Sequence, residues 1–286
     1  MNTLPKRTLT SLAAAGLVLA LSSVGTATAA AKPAAAAQGA AQGVTQQVQQ
    51  AAAPRGKAAA TSSPLYKTGQ LANSNCSPGD LPRGSTAAYK RFLAYVTNCL
   101  NRSWATQFRK AGMSFSKPRL RIITSKVRTP CGPWGKGATG IYCGVNRTMY
   151  MLITKQDLRN PYPVGISRLM AHEYGHHVQQ VSGILDYSWQ ARNRASQSAR
   201  LLLSRRTELQ AECFSAIFMN TVAETLPVPS DHWNATVDWF RKEGHKAWGV
   251  NDHGKGPTQA AWMTRGFNSG QVGTCNTWSV HPRYVT

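Results

Sequence analysis

Ionisable side chains at one-turn spacing inside two otherwise apolar stretches constrain this chain more than any other feature. The first stretch reads Met170-Ala171-His172-Glu173-Tyr174-Gly175-His176-His177-Val178. The second reads Thr207-Glu208-Leu209-Gln210-Ala211-Glu212-Cys213 and runs on into Phe214-Ser215-Ala216-Ile217-Phe218-Met219. Residues four apart on a helix are separated by about 400°, so His172 and His176 leave from one face about one turn apart, as do Glu208 and Glu212. Burying such groups singly is costly, and a shared metal ion offsets that cost.

Two imidazoles at this spacing can hold one metal, and Glu173 is angled to reach a water there without coordinating the ion itself. A hydrolytic zinc centre takes three protein ligands and keeps a fourth position open. Glu208 and Glu212 are the candidates for the third: one would bind, and the other would accept the N–H of a ligating histidine and fix its tautomer. Gly175 costs about 1 kcal/mol relative to alanine in mid-helix, which close approach of a second backbone would justify.

The rest of the chain bounds where such a centre works. Lys6 and Arg7 precede an apolar run from Leu9 to Leu21, and Ala27-Thr28-Ala29 offers a small-residue cleavage site, so residues 1–29 read as a secretory signal peptide. Residues 30–64 are rich in Ala and Gln and poor in large apolar side chains, the composition of a disordered spacer or pro-segment. A folded domain over 65–286 then holds all six cysteines. In an exported chain disulfides are the default. Cys131 and Cys143 flank a Gly-rich loop and form the firmest pair, Cys76 with Cys99 follows by proximity, and Cys213 with Cys275 remains.

Lys and Arg total 33 against 11 Asp and Glu. Loss of the leader takes away two cations and leaves a net +20 on the exported chain. That balance fits an anionic cell-wall polymer as a partner, while no motif for specific nucleic-acid binding is present. No transmembrane segment is expected once the leader is removed. Thr86 to Lys110 carries apolar residues at steps of three and four, predicting an amphipathic helix. Arg119 to Val127 and Thr148 to Thr154 read as two strands around the Cys131–Cys143 loop, and from Gly165 to about Glu224 the pattern is helical.

HEYGHHVQQ and RRTELQAEC, with CGPWGKGATGIYC before them and HGKGPTQAAWMTRGFNSGQVGTCNTW after, resemble the bacterial neutral zinc metallopeptidase family from about Arg119 to Trp278. The resemblance implies an α+β, zincin-like domain, mainly helical, with a small sheet beside the active-site helix. It implies one zinc per chain on His172, His176 and Glu208, with Glu173 as general base acting on a peptide or protein substrate. The chain departs from the family pattern at Glu212, where the family has aspartate, and after His253-Gly254, where it has Lys255-Gly256-Pro257-Thr258. A further donor should face the developing oxyanion; His253 is the candidate, with Tyr150 and Tyr174 as alternatives. The strand Thr148–Thr154 is expected to pair with extended substrate. Two other readings share the same residues: an inactive wall- or polyanion-binding protein, and a zinc amidase or peptidase acting on cell-wall peptides.

Overall fold

The structure, a computed structural model, describes residues 52–286 except Pro227 and Trp248. The leader and most of the spacer lie outside the described residues. The chain runs through α1 (Lys57–Thr61), α2 (Thr86–Lys110), β1 (Arg119–Ile123), β2 (Gly140–Cys143), β3 (Thr148–Leu152), α3 (Lys155–Arg159), α4 (Pro163–Val181), α5 (Ile184–Asn193), α6 (Gln197–Thr221), α7 (Ser230–Glu243) and α8 (Gly256–Ser269). Among the described residues it is mostly helical with one three-stranded sheet, an α+β architecture.

Helix α2 starts where Ser85 caps it, its hydroxyl accepting from the Ala88 N–H, and its periodic set from Tyr89 to Phe108 is buried. The sheet has the order β1-β3-β2, with β1 parallel and β2 antiparallel to β3. Strand β3 is therefore central and buried at all five residues. Both of its edges are taken, which removes it as the strand expected to pair with substrate. The outer strand beside α4 is β2, which lies within the segment read from sequence as a disulfide loop. Both expected strands end early, β1 at Ile123 and β3 at Leu152, the latter because Thr154 caps α3 in a reciprocal capping box with Asp157.

Helix α6 packs against α4, α5 and α8. From Leu209 to Met219 every residue of it is buried, the pattern of a helix apolar on all sides. Gly175 of α4 is explained here: a Cβ at this position would lie 3.0 Å from Ala211 Cα and 3.1 Å from Ala211 O. The two helices approach backbone to backbone at that point.

The disulfides join Cys76 to Cys99, Cys131 to Cys143, and Cys213 to Cys275, the pairing that the spacing favoured. Part of the spacer reading needs correction. Residues 57–61 form α1, Ala59 and Ala60 are fully buried, and Ala60 packs with Ile184 and Trp278. Alanine fills a close helix contact that a larger side chain would not enter, so a lack of large apolar residues did not mean a lack of packing. No helix among the described residues is long and apolar enough to cross a membrane.

Candidate metal centre

Three elements bring the acid-and-imidazole set together. Helix α4 presents His172 and His176 with ring centroids 4.9 Å apart. Helix α6 presents Glu208, whose Oε2 lies 3.4 Å from His172 Nε2 and 3.2 Å from His176 Nε2. The loop before α8 adds His253, with Nε2 3.4 Å from the same oxygen and Nδ1 2.6 Å from Asp252 Oδ1. Four of the eleven acidic residues of the chain, Glu173, Glu208, Glu212 and Asp252, thus gather in one place in a strongly basic protein.

The ligand candidates are held from behind. His172 Nδ1 is 3.1 Å from Glu212 Oε2, and Arg168 binds both oxygens of Glu212, through Nε to Oε1 at 2.7 Å and through Nη2 to Oε2. Arg168 itself lies over the Phe240 ring, 4.1 Å from its centroid. His176 Nδ1 is 2.9 Å from Gln179 Oε1, and the Gln179 amide donates to Thr207 O and to Gln210 Oε1. Gln210 in turn donates to the Tyr66 hydroxyl and to Cys275 O. With Nδ1 engaged from behind in both cases, each Nε2 faces Glu208.

Two neutral imidazole nitrogens and a carboxylate oxygen fit a divalent zinc ion, and His172, His176 and Glu208 offer ligand atoms that all lie within 4.8 Å of one another. The local charge agrees. Burial lowers the His172 imidazole to about 3 and so keeps it neutral. Burial works against ionisation of Glu208, yet the facing imidazoles prevail and hold it well below the ordinary carboxylate range. Burial also disfavours the charged form of His176, but Glu208 overcomes this and raises it to about 9. A proton held there is what a divalent cation displaces on binding.

Glu173 is buried at the same spot but faces β2. Its carboxylate packs so closely on Gly140 that a Cβ there would come within 2.9 Å of Glu173 Cγ and Oε1. Burial raises its carboxyl above the ordinary value, and a hydrogen bond from the Tyr142 backbone opposes the rise. One turn on, His177 anchors this arrangement: its Nε2–H donates to Ser116 O at 2.6 Å, and Nδ1 accepts from the Tyr142 hydroxyl at 3.0 Å. Burial lowers its imidazole to about 4.

The cluster opens into a cleft of about 800 Å³ walled by β2, α4, α6 and α7. His253 lines it. Tyr150 and Tyr174 do not reach it. Tyr174 is buried on the far side of α4, with its hydroxyl donating to Asn101 at 2.7 Å, and the Tyr150 hydroxyl accepts from Asn146 at 2.9 Å. Sequence reasoning missed Arg168, Gln179, Gly140 and Asp252. Arg168 was within reach, because it precedes His172 by one turn and shares its face.

A buried helix pair offers two histidines and a glutamate that could hold one metal ion, with a further glutamate beside them at the base of a cleft. The chain belongs to the family described as "Putative neutral zinc metallopeptidase", whose model matches residues 67–278. It is similar to "Uncharacterized protein YpfJ" of Escherichia coli strain K12, with 30% identity over 204 residues, covering 66% of this chain and 71% of that protein. It is also similar to "Uncharacterized protein Rv2575" of Mycobacterium tuberculosis strain H37Rv, with 29% identity over 191 residues, covering 58% and 64%. No solved structure matches.

Proposed function

We propose that this chain is an exported, zincin-like peptidase that hydrolyses peptide bonds with one zinc on His172, His176 and Glu208. The observation that carries the reading is the approach of two Nε2 atoms to one Glu208 oxygen, with the Glu173 carboxylate beside them on Gly140. When bound, zinc supplies the Lewis acidity that hydrolysis of an unactivated amide needs. Glu173 accepts a proton from the attacking water and returns it to the departing amine, and burial, which raises its affinity for protons, favours that exchange. His253, steadied by Asp252, donates a hydrogen bond to the oxygen that gains charge. The outer edge of β2 takes the substrate main chain by strand addition, leaving side chains to the cleft walls.

The leader and three disulfides support export to an oxidising compartment. The deciding experiment is metal analysis of the purified protein alongside a peptide-library digest, for wild type and Glu173→Gln. One zinc per chain in both, with cleavage only in wild type, is the expected result. Equal cleavage by the variant removes Glu173 as the base, and absence of zinc from wild type removes the centre.

One observation favours an added binding role. Between Asp80 and Asp157 the chain has fourteen Lys and Arg, all exposed, and no acidic residue. We infer that this segment, which includes Arg119 and Arg121 on β1, holds an anionic cell-wall polymer. Binding to purified wall should fall steeply as salt rises, through counterion release; binding that ignores salt would refute it.

A further inference from the structure

The cleft has two unlike sides. The floor is the acid-and-imidazole cluster, whereas the wall built by the first turns of α4 and by α7 presents Tyr162, Leu169, Trp239 and Phe240. Leu169 precedes Glu173 by one turn on α4, so the apolar wall begins next to the catalytic carboxylate rather than at a remote end of the cleft. Arg168 is the cation in this wall, and its guanidinium is already taken by both oxygens of Glu212 and by the Phe240 ring. A charged substrate group placed here would therefore be desolvated without a partner.

The wall is also built to stay in place. The Tyr162 hydroxyl donates to His232 O at 2.7 Å and lies 2.9 Å from the Thr236 hydroxyl, tying the start of α4 to α7. Its ring sits on Gly165, where a Cβ would come within 2.6 Å of Tyr162 Cδ1. Trp239 is 51% exposed, a large apolar surface at the cleft margin with nothing on half of it.

We propose that the cleft selects peptides with a bulky, uncharged apolar side chain, such as that of leucine or phenylalanine, directly beside the scissile bond. This rests on the peptidase reading and names its substrate class. The residue flanking the reacting carbonyl is carried onto Leu169 and Tyr162, and Trp239 and Phe240 cover it.

The test uses a peptide series of fixed frame in which one residue beside the cleaved bond is Leu, Phe, Gly, Asp or Lys. Wild-type kcat/KM is measured for each, and binding of the same peptides, fluorescently labelled, to zinc-loaded Glu173→Gln is measured by anisotropy. Leu and Phe should exceed Gly and Asp by on the order of tenfold or more in both measurements. Trp239→Ala, at a half-exposed site, should shrink that advantage mainly through KM. Leu169→Asp should transfer the preference to Lys. Equal cleavage of all five peptides, or an advantage of Leu and Phe over Gly that is undiminished in Trp239→Ala, overturns the inference and leaves the peptidase reading standing. The expected ranking in binding without any turnover by wild type does the reverse.

Discussion

At the scale of single residues, the centre depends on atoms that are not themselves ligand candidates. Gly140 is the sharpest case, because the Glu173 carboxylate occupies the space a side chain would need. Gly140→Ala should push Glu173 out of line and cost on the order of a hundredfold in kcat, with zinc content unchanged by metal analysis. Glu212→Gln leaves an acceptor for the His172 N–H but strands the Arg168 charge. Zinc affinity, measured by competition with a chelating dye, should fall about 10–100-fold; unaltered affinity would mean that the Arg168–Glu212 pair does not orient His172. The residues on the helical repeat were legible in the sequence, since the period alone puts His172 beside His176 and Glu208 beside Glu212. Gly140 was not, because its partner is remote in sequence and a glycine in a Gly-rich loop looks like every other. Gln179 was missed for a related reason: an amide on a polar turn gives no sign of which imidazole it faces.

At the scale of elements, two helices carry the ligand candidates, so the distance between α4 and α6 sets the site. Gly175 and Ala211 fix that distance. Gly175→Ala should cost about 1–3 kcal/mol by overpacking, more than the roughly 1 kcal/mol of helix propensity that alanine returns. A thermal midpoint lower by about 2–4 °C per kcal/mol, together with weaker zinc binding, is the outcome to look for; a more stable variant would show that the helices can part without loss. The disulfides should rank by the loop each closes. Cys213–Cys275 spans 62 residues and Cys131–Cys143 spans 12, which in the loop-entropy account gives about 4 against about 3 kcal/mol. Paired Cys→Ser variants in urea melts test that order. Helices α2 and α4 were readable from the period of their apolar residues. Strand β2 was not, because four residues between glycines and a cysteine carry too little alternation to separate a strand from a loop, and only pairing with β3 decides the matter. That misreading also assigned substrate pairing to β3, which the sheet order leaves with no open edge.

At the scale of the whole molecule, buried tyrosines link the site to the stability of the fold. Desolvation raises Tyr66, Tyr89, Tyr142 and Tyr174 above the ordinary tyrosine value. In the unfolded chain the same groups lose their protons at about pH 10. Above that pH the folded state holds more protons than the unfolded one, so stability is fully present below about pH 10 and is lost as pH rises beyond it. Two of the four support the centre directly: Tyr66 receives the Gln210 amide that stands behind Gln179 and His176, and Tyr142 meets His177 while its backbone faces Glu173. Alkaline unfolding and loss of activity should therefore coincide. The tyrosinate absorbance of these four residues should rise together with loss of helix signal and of cleavage. A single step near pH 10 with the helix signal intact would mean that these hydroxyls are open to solvent, and the network behind His176 and Glu173 would lose its support.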